Sequence, residues 1–389
     1  MNSNAIDEGY LDDRHGNARW RSSLRQRLTR WFDANARDLP WRKHPTPYNI
    51  WVSEIMLQQT QVATVIPYYE RFIKTFPHVD ALADADPETL MMHWKGLGYY
   101  RRAQSMQKAA KQIVDRHRSQ FPTRYKDVLA LTGIGRYTAG AILSIACDAR
   151  LPILEANTVR TYARWTGFGG DVKSNEGQNV LWDFATKVLP RRDVGRFNQA
   201  AMELGALICK PKPLCDQCPV KNQCAAREFD RVTDIPGKVT RIELTDRREY
   251  AFVIADRRPN VGPPTYLIHR RPHGSRWAGL WDFPRPIADA DGGYRSADEA
   301  LRVVGETLGR NLTLGPRQKS IRHGVTRYRI VLDIHHAQFD DDVSPLRLPD
   351  HWTFESIDQI LKRPMPVSAT QIAKSIRDDR QRSLFVDGV

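Results

Sequence analysis

Four of the chain's five cysteines lie in one short segment, CKPKPLCDQCPVKNQC, at residues 209–224. Cys209, Cys215, Cys218 and Cys224 follow the spacing C-x5-C-x2-C-x5-C. Four thiolates at such short separations can bind one tetrahedral metal ion or one iron–sulfur cube. The spacing favours a metal or cluster over free thiols and leaves zinc and iron–sulfur open. The fifth cysteine, Cys147, lies among small residues, and we expect an ordinary buried thiol there.

A single carboxyl group interrupts an apolar stretch, NIWVSEIMLQQTQVATVI, at residues 49–66. At helical spacing, Glu54 has Ile50 and Trp51 one turn before it and Leu57 one turn after it. Burial among such neighbours raises a carboxyl pKa, which suits a general acid near neutral pH. The alternative is a glutamate that reaches solvent or pairs with an arginine, and the residues alone do not decide between them.

Two glycines, Gly133 and Gly135, separate two apolar helical runs in VLALTGIGRYTAGAILSIA. Glycines at such a junction expose backbone N–H groups at the start of the second helix, where they can bind a phosphate without reading a base. An ordinary hairpin of two helices is the alternative. The basic charge of the chain and the cysteine segment favour a DNA-binding helix-hairpin-helix.

The segments that carry these groups predict a multidomain chain. Apolar residues recur at helical spacing in 19–35, 49–74, 100–117, 137–147, 156–166, 176–188 and 197–208. Later segments, YAFVIA, TYLIHR and RYRIVLDIHH, are typical of strands, and Ser296 with Glu299 predicts a capping box for a helix over 297–308. We therefore expect an all-α domain followed by an α+β domain. The predicted boundaries are a disordered N-terminus at 1–18, a helical domain at 19–229, a linker at 230–248, an α+β domain at 249–376 and a tail at 377–389.

The charge favours a polyanionic partner. The formal net charge is +14 and the pI is about 9.7, which suits nucleic acid binding, although a basic chain can also merely be soluble. No apolar run approaches the roughly 20 residues of a membrane span. The polar start lacks a secretory signal, so we expect no membrane association and a reducing compartment.

Six segments in order resemble the adenine DNA glycosylases of the MutY type. They are LPWR (39–42), WVSEIMLQQTQV (51–62), GLGYYRRA (96–103), LTGIGRYTAGAI (131–142), FNQAAMELGALIC (197–209) and the cysteine segment. The resemblance implies an all-α helix-hairpin-helix glycosylase domain with a 4Fe–4S cluster loop, followed by an α+β, Nudix-like lesion-recognition domain. It implies hydrolysis of the N-glycosidic bond of adenine mispaired with 8-oxoguanine or guanine, in double-stranded DNA.

The resemblance also assigns roles to individual residues. Glu54 corresponds to the general acid and Glu155 to the carboxylate that stabilises the sugar cation, while Tyr137 and Asn157 correspond to partners of these carboxylates. The endonuclease III branch has a nucleophilic lysine where this chain has Tyr137, so we expect a monofunctional glycosylase without strong lyase activity. The residues expected to line the adenine pocket are Trp41, Arg42, Leu57, Val62 and Gln199.

Further residues correspond to DNA, lesion and cluster contacts. The expected DNA contacts are Gln58, Gln59, Leu97, Tyr99, Gly133 and Gly135. Val325, Thr326 and Arg327 correspond to the group that reads 8-oxoguanine. The cysteines would hold a structural 4Fe–4S cluster, with zinc as the alternative. We expect a monomer. Because no nuclear or organelle address stands out in the sequence, we also expect a cytoplasmic bacterial protein that acts on the chromosome in the nucleoid.

Three features depart from the family pattern. Glu155 stands where the family has aspartate, which moves the carboxylate by about 1 Å and can cost about a hundredfold in rate unless the pocket has adjusted. The first cysteine gap has five residues where the family usually has six, and Val325, Thr326 and Arg327 replace Phe-Ser-His. Two rival hypotheses follow: a related glycosylase with another base choice, or a non-catalytic cluster-bearing lesion binder.

Overall fold

The computed structural model describes residues 16–237, 243–256, 263–272, 274–288, 293–325, 327–340 and 347–386, with side chains to residue 381. The chain divides into two compact units. The helical unit comprises Met1–Ala85 and Arg102–Thr240, and the mixed unit comprises Asp86–Arg101 and Arg241–Val389. Nearly all of the N-terminal segment predicted to be disordered, 1–18, lies outside the described residues.

The described part of the helical unit is all α, as the sequence predicts. Its helices are α1 Ala18–Asn35, α2 Pro40–Lys43, α3 Pro47–Leu57, α4 Val62–Thr75, α5 Val79–Ala83, α7 Arg101–His117, α8 Tyr125–Leu129, α9 Arg136–Cys147, α10 Ala156–Thr166, α11 Asn175–Val188, α12 Val194–Leu207 and α13 Ala225–Glu228. Apolar residues one turn apart build the core; in α1 these are Leu24, Leu28 and Phe32.

The stretch 49–74, predicted as one helical run, is two helices. Helix α3 begins at the Thr46 cap with Pro47 in its first turn, and it ends before Gln59, whose φ of 59° is left-handed. The Arg102 guanidinium donates to the carbonyls of Ile55, Met56 and Gln58, at 2.6, 3.0 and 2.7 Å. A distant arginine therefore satisfies the end of α3, which local periodicity does not reveal.

The first part of the predicted linker, 230–248, packs with the helical unit. Ile235 is 1% exposed and packs in the core of this unit, so the segment before residue 238 is not a free linker.

Cys147, predicted to be a buried thiol, is exposed. It is the last residue of α9, and the helix stops at the surface there.

The described strands of the mixed unit form one sheet: β1 Thr245–Asp256, β2 Thr265–Arg270, β3 Trp281–Asp282, β4 Leu312–Val325, β5 Tyr328–Phe339 and β6 Trp352–Ser356. The order is β3-β2-β1-β5-β4, with β6 beside β2. Strands β1 and β5 are parallel, with Ala251 opposite Ile334, and the other pairs are antiparallel. The unit thus has the predicted α+β character, although β1 starts at Thr245 rather than at residue 249.

Helices cover both faces of this sheet. They are α14 Ala297–Leu308 on one face and α15 Ile357–Leu361 with α16 Val367–Val386 on the other, and the unit also contains α6 Pro87–Trp94. Alternate residues of β1 face opposite sides, so Phe252 packs with α14 while Val253 packs with α16. Ser296 caps α14 as predicted, but Glu299 accepts from the backbone of Arg295 rather than of Ser296. Helix α16 runs through most of the predicted tail.

None of the helices in the described residues is long and apolar enough to cross a membrane.

Candidate active site

The helical unit contains a cavity of about 660 Å³ at the C-terminal end of α3 and the N-terminal end of α10. Its lining includes every residue predicted to be catalytic or to bind adenine: Trp41, Arg42, Glu54, Leu57, Val62, Tyr137, Glu155, Asn157 and Gln199. Gln58 and Gln59 also line it. Residues separated by up to 158 positions in sequence therefore meet at one cavity of a size that accommodates a nucleobase.

Glu54 is a buried carboxyl at this cavity. Its side chain is 5% exposed, and Oε2 accepts a hydrogen bond from the Tyr137 hydroxyl. Burial raises the pKa of Glu54 to about 7; nearby Glu155 acts in the same direction, while the Tyr137 hydrogen bond and Arg42 oppose the shift. Glu54 is therefore a buried carboxyl group rather than a glutamate that reaches solvent. With this pKa it can carry a proton at neutral pH.

Glu155 is the N-cap of α10. Its Oε2 accepts from the Asn157 backbone at 2.8 Å and its Oε1 from the Thr158 backbone at 2.9 Å, while Thr158 Oγ1 accepts in return from the Glu155 backbone at 2.8 Å. Burial raises the pKa of Glu155, and the two backbone hydrogen bonds and Arg160 lower it. The longer side chain of glutamate is thus folded back on the helix start, which fixes the carboxylate at the cavity wall.

Asn157 is held from the opposite side. Its Oδ1 accepts from Arg160 at 2.9 Å, and Arg160 also donates to the Cys209 carbonyl at 2.7 Å and to the Gly205 carbonyl at 2.8 Å. The side-chain nitrogen of Asn157 is therefore the group left for the cavity.

A buried glutamate that the sequence did not reveal, Glu203, holds two arginines in place at the cavity. Glu203 accepts from Arg37 Nε at 2.8 Å and from Arg42 at 2.9 Å. Burial opposes its ionisation, but these hydrogen bonds outweigh burial and hold the pKa of Glu203 at about 2. Arg42 Nε then donates to Gln199 Oε1 at 3.1 Å, which leaves the Gln199 amide nitrogen for the cavity. The only local signal is that Gln199 and Glu203 lie one turn apart on α12.

The glycine pair lies where the sequence predicts it. Gly133 has φ of +81° in the turn between α8 and α9, and Gly135 caps α9. A Cβ on Gly133 would approach Ser105 Cβ to 2.8 Å, so both the conformation and the space require glycine there.

The four cysteines line a second, smaller cavity, together with Arg164, which donates to Cys209 Sγ at 3.4 Å. Burial raises the pKa of the Cys218 thiol to about 12 and that of the Cys224 thiol to about 11, and neighbouring thiols add to both shifts. Four soft sulfur donors at one cavity fit an iron–sulfur cluster. In the part of the chain that the structure describes, no three His, Cys, Asp or Glu residues are arranged to hold a single metal ion.

Comparisons with known proteins identify the family. The HhH-GPD superfamily of base excision DNA repair proteins matches residues 52–200. The adenine DNA glycosylase of Buchnera aphidicola subsp. Schizaphis graminum (strain Sg) is 37% identical over 261 residues, covering 67% of this chain and 74% of the relative. This chain belongs to the adenine DNA glycosylases.

Two other matches bear on this adenine DNA glycosylase. The adenine DNA glycosylase of Homo sapiens is 34% identical over 314 residues, which cover 68% of this chain and 57% of the human protein. The structure of a thermostable thymine-DNA glycosylase is 27% identical, with a TM-score of 0.50, and covers 54% of this chain and 98% of that chain.

The predicted contact residues outside the cavity have different exposures in this adenine DNA glycosylase. Tyr99 is 56% exposed, whereas Leu97 is 5% exposed, so the Leu97 side chain is buried and Tyr99 is the residue of this pair at the surface. Val325 ends β4 and packs partly against the core, and exposed Arg327 donates to the Tyr328 hydroxyl at 3.0 Å. Thr326 lies outside the described residues.

Proposed function

We propose that this adenine DNA glycosylase removes adenine paired with 8-oxoguanine or guanine, with Glu54 as general acid and Glu155 as the carboxylate that stabilises the sugar cation. The observation that carries the proposal is the pairing of these two groups at one cavity. One carboxyl is buried with a pKa of about 7, and the other is anchored at a helix N-terminus. A glycosidic bond needs this combination of a proton donor and a fixed negative charge.

The chemistry begins when the target nucleotide leaves the base stack and enters the cavity, because adenine inside a duplex is out of reach. Protonated Glu54 donates its proton to the departing adenine, and the electron pair of the glycosidic bond goes to the base. The carboxylate of Glu155 then faces the developing positive charge on the sugar. Water adds to the anomeric carbon and gives up a proton to the ionised Glu54, which restores the acid.

Tyr137 and Asn157 orient the two carboxyl groups. The Tyr137 hydroxyl donates to Glu54, and Asn157 follows Glu155 in the first turn of α10. A phenol has no amine to form a Schiff base, which supports a monofunctional enzyme that leaves the strand intact.

The adenine pocket is built from Trp41, Arg42, Leu57, Val62 and Gln199. The bond from Arg42 to Gln199 Oε1 leaves the Gln199 amide nitrogen as a donor toward a ring-nitrogen acceptor of the base. Glu203 holds Arg42 in place, so we add it as a positioning residue of this pocket.

DNA contacts are proposed at four places. The backbone of Gly133 and Gly135 binds a phosphate at the start of α9. Gln58 and Gln59 enter the duplex beside the extruded nucleotide, and Tyr99 stacks in the duplex. Gln59 and Tyr99 both have left-handed backbones and exposed side chains, which suits residues that protrude into a partner. In the Nudix-like C-terminal domain, Val325, Thr326 and Arg327 form the proposed lesion contact.

The four cysteines are proposed to hold a structural 4Fe–4S cluster. The family belongs to the iron–sulfur glycosylases, and four sulfurs at one cavity beside the Arg164 guanidinium suit an anionic cluster. A cluster held by these cysteines would tie the loop to α10, because Arg164 of that helix contacts Cys209. Zinc bound by the same four thiolates is the alternative.

A different base choice is the second candidate function, and the likeness to a thymine-DNA glycosylase structure motivates it. The test is single-turnover base release from duplexes that contain adenine opposite 8-oxoguanine, adenine opposite guanine, or thymine opposite guanine. We expect adenine release from an intact strand, fastest opposite 8-oxoguanine. Thymine release in place of adenine would support the second candidate, and tight lesion binding without release of any base would indicate a non-catalytic binder.

A further inference from the structure

The loop that carries Tyr99 has an unusual backbone. Gly96 and Gly98 have φ of 104° and 71°, and Tyr99 follows with φ of 48°. Glycine tolerates this region, but a tyrosine does so only where its surroundings enforce it. Leu97 and Tyr100 are buried on either side, and Trp94 Nε1 donates to the Gly98 carbonyl at 3.1 Å. The exposed Tyr99 side chain thus lies on a loop whose adjacent residues are held in place by burial and by a hydrogen bond.

The residues that flank this loop bind a segment far along the chain. Lys95 Nζ donates to the carbonyls of Leu361 and Arg363, each at 2.9 Å. The Tyr100 hydroxyl donates to the Met365 carbonyl at 3.2 Å. We call residues 361–365, which connect α15 to α16, the anchor segment. Its carbonyls therefore receive hydrogen bonds from both sides of the loop.

An ion pair reinforces this attachment. Arg363 in the anchor segment donates to Glu88 of α6 at 2.7 Å and to Glu355 of β6 at 3.1 Å, and its guanidinium lies 4.9 Å from the centre of the Trp281 ring. Burial lowers the pKa of Lys95, and Lys374 adds to this, so the Lys95 ammonium is partly desolvated where it meets the two carbonyls. Partly desolvated, charge-assisted contacts are stronger than solvated ones.

The family match over residues 52–200 includes this loop, yet residues 86–101 belong to the mixed unit. We propose that the anchor segment positions Tyr99 for entry into DNA, so that the C-terminal domain contributes to base extrusion as well as to lesion contact. This inference rests on the proposed role of Tyr99. It makes Lys95, Glu88 and Arg363 positioning residues, which act through Tyr99 and touch no reacting atom.

Two variants weaken the attachment separately. Lys95→Met removes both hydrogen bonds to the anchor segment, and Glu88→Gln removes the charge that Arg363 meets on α6 while leaving Glu355. Glu306→Gln is the matched control, because it makes the same charge change at an exposed position of α14 in the same unit. Thermal unfolding of each variant identifies any that fails to fold.

The first readout is amide hydrogen exchange without DNA. We expect exchange at residues 96–101 to speed up about tenfold in Lys95→Met and Glu88→Gln, and not in Glu306→Gln. The second readout is a double-mutant cycle with Tyr99→Ala, measured as single-turnover adenine release opposite 8-oxoguanine at subsaturating enzyme. Each anchor variant should slow release about fivefold in the wild-type background and have little effect when Tyr99 is already alanine.

Unchanged exchange, or equal effects in both backgrounds, would overturn the inference. A Tyr99→Ala variant that releases adenine at the wild-type rate would instead overturn the proposed role of Tyr99 itself. That result would also overturn the inference about base extrusion. Faster amide exchange in the anchor variants would then show only that the attachment stabilises the loop.

Discussion

Two buried glutamates, one in each unit, have opposite protonation behaviour. Glu54 at the cavity of the helical unit is 5% exposed, and Glu249 on β1 of the mixed unit is 1% exposed. Burial raises the pKa of Glu54 to about 7, whereas burial of Glu249 is outweighed by Arg285 and Arg276, so that its pKa lies below the ordinary value. Arg285 donates to Glu249 at 3.0 Å, whereas Glu54 has a phenol as its hydrogen-bond partner.

The difference shows that burial alone does not set the protonation state of a carboxyl group. A guanidinium compensates the charge of Glu249 and keeps it ionised, which makes the group structural. The hydroxyl partner and nearby Arg42 do not outweigh the burial of Glu54, so its pKa lies at about 7 and the proton stays available near that pH. The partner therefore separates the two roles, and each role has its own measurable consequence.

The largest effect is expected for Glu54→Gln. The amide has nearly the same size but cannot donate a proton as an acid, so single-turnover adenine release should fall by a factor of about 10²–10⁴. The free energy of unfolding should not decrease, because the substitution removes a poorly solvated carboxyl group. A variant that is unstable but still active would reverse the roles assigned to the two glutamates.

Glu249→Gln should do the opposite. Removing the charge leaves Arg276 and Arg285 without their carboxylate in the interior, so we expect a loss of about 3–5 kcal/mol in unfolding free energy. The rate of adenine release by the folded fraction at saturating enzyme should stay close to that of the wild type. Denaturant unfolding and single-turnover kinetics on the same preparation test both statements, and an unchanged midpoint would contradict the structural role.

A smaller effect is expected for Glu155→Asp, which restores the residue typical of the family. Aspartate can cap α10, but its carboxylate would be withdrawn by about 1 Å from a cavity arranged around glutamate, so we expect release to slow by up to about a hundredfold. Single-turnover base release should be measured for Glu155→Asp and for Glu155→Gln. The first variant shortens the side chain and keeps the charge, and the second keeps the length and removes the charge. A sharp rise in rate for the aspartate variant would favour the view that glutamate had disabled the site.

The smallest expected effect is a difference in pH dependence: Glu54 governs the rate of adenine release, and Glu249 contributes to the stability of the fold. The pKa of Glu54 is raised to about 7, so the acid is protonated below that pH, and release should fall about tenfold per pH unit above it. Glu249 has a lowered pKa, so it stabilises the fold above the ordinary carboxyl pKa, and this contribution is lost as the pH falls through its folded pKa. Rate and stability profiles should therefore decline at opposite ends of the pH range. A rate that is flat from pH 6 to 9 would contradict the assignment of Glu54.

The sequence predicted what depends on local pattern and on family motifs. Apart from 49–74, which is two helices, each predicted helical run matches a helix of the structure to within three residues, whereas the short helices of the unit were not predicted. The motif residues around Glu54, Tyr137, Glu155 and Gln199 meet at one cavity. Local pattern did not reveal Glu203, whose partners Arg37 and Arg42 lie more than 160 residues earlier. It also did not reveal that Leu97 is buried, or that residues 86–101 belong to the mixed unit, because distant contacts decide both.

The capping box at Glu155 restricts what evolution can place at this position. A side chain there accepts hydrogen bonds from two backbone amides at the start of α10. In the proposed mechanism it also has to present a negative charge to the cavity. Asparagine and serine satisfy the first demand without the charge, whereas glutamine has the reach of glutamate but is neutral. Only aspartate and glutamate meet both demands, so of the twenty amino acids two fit this position, and an exchange between them requires the rest of the cavity to adjust with it.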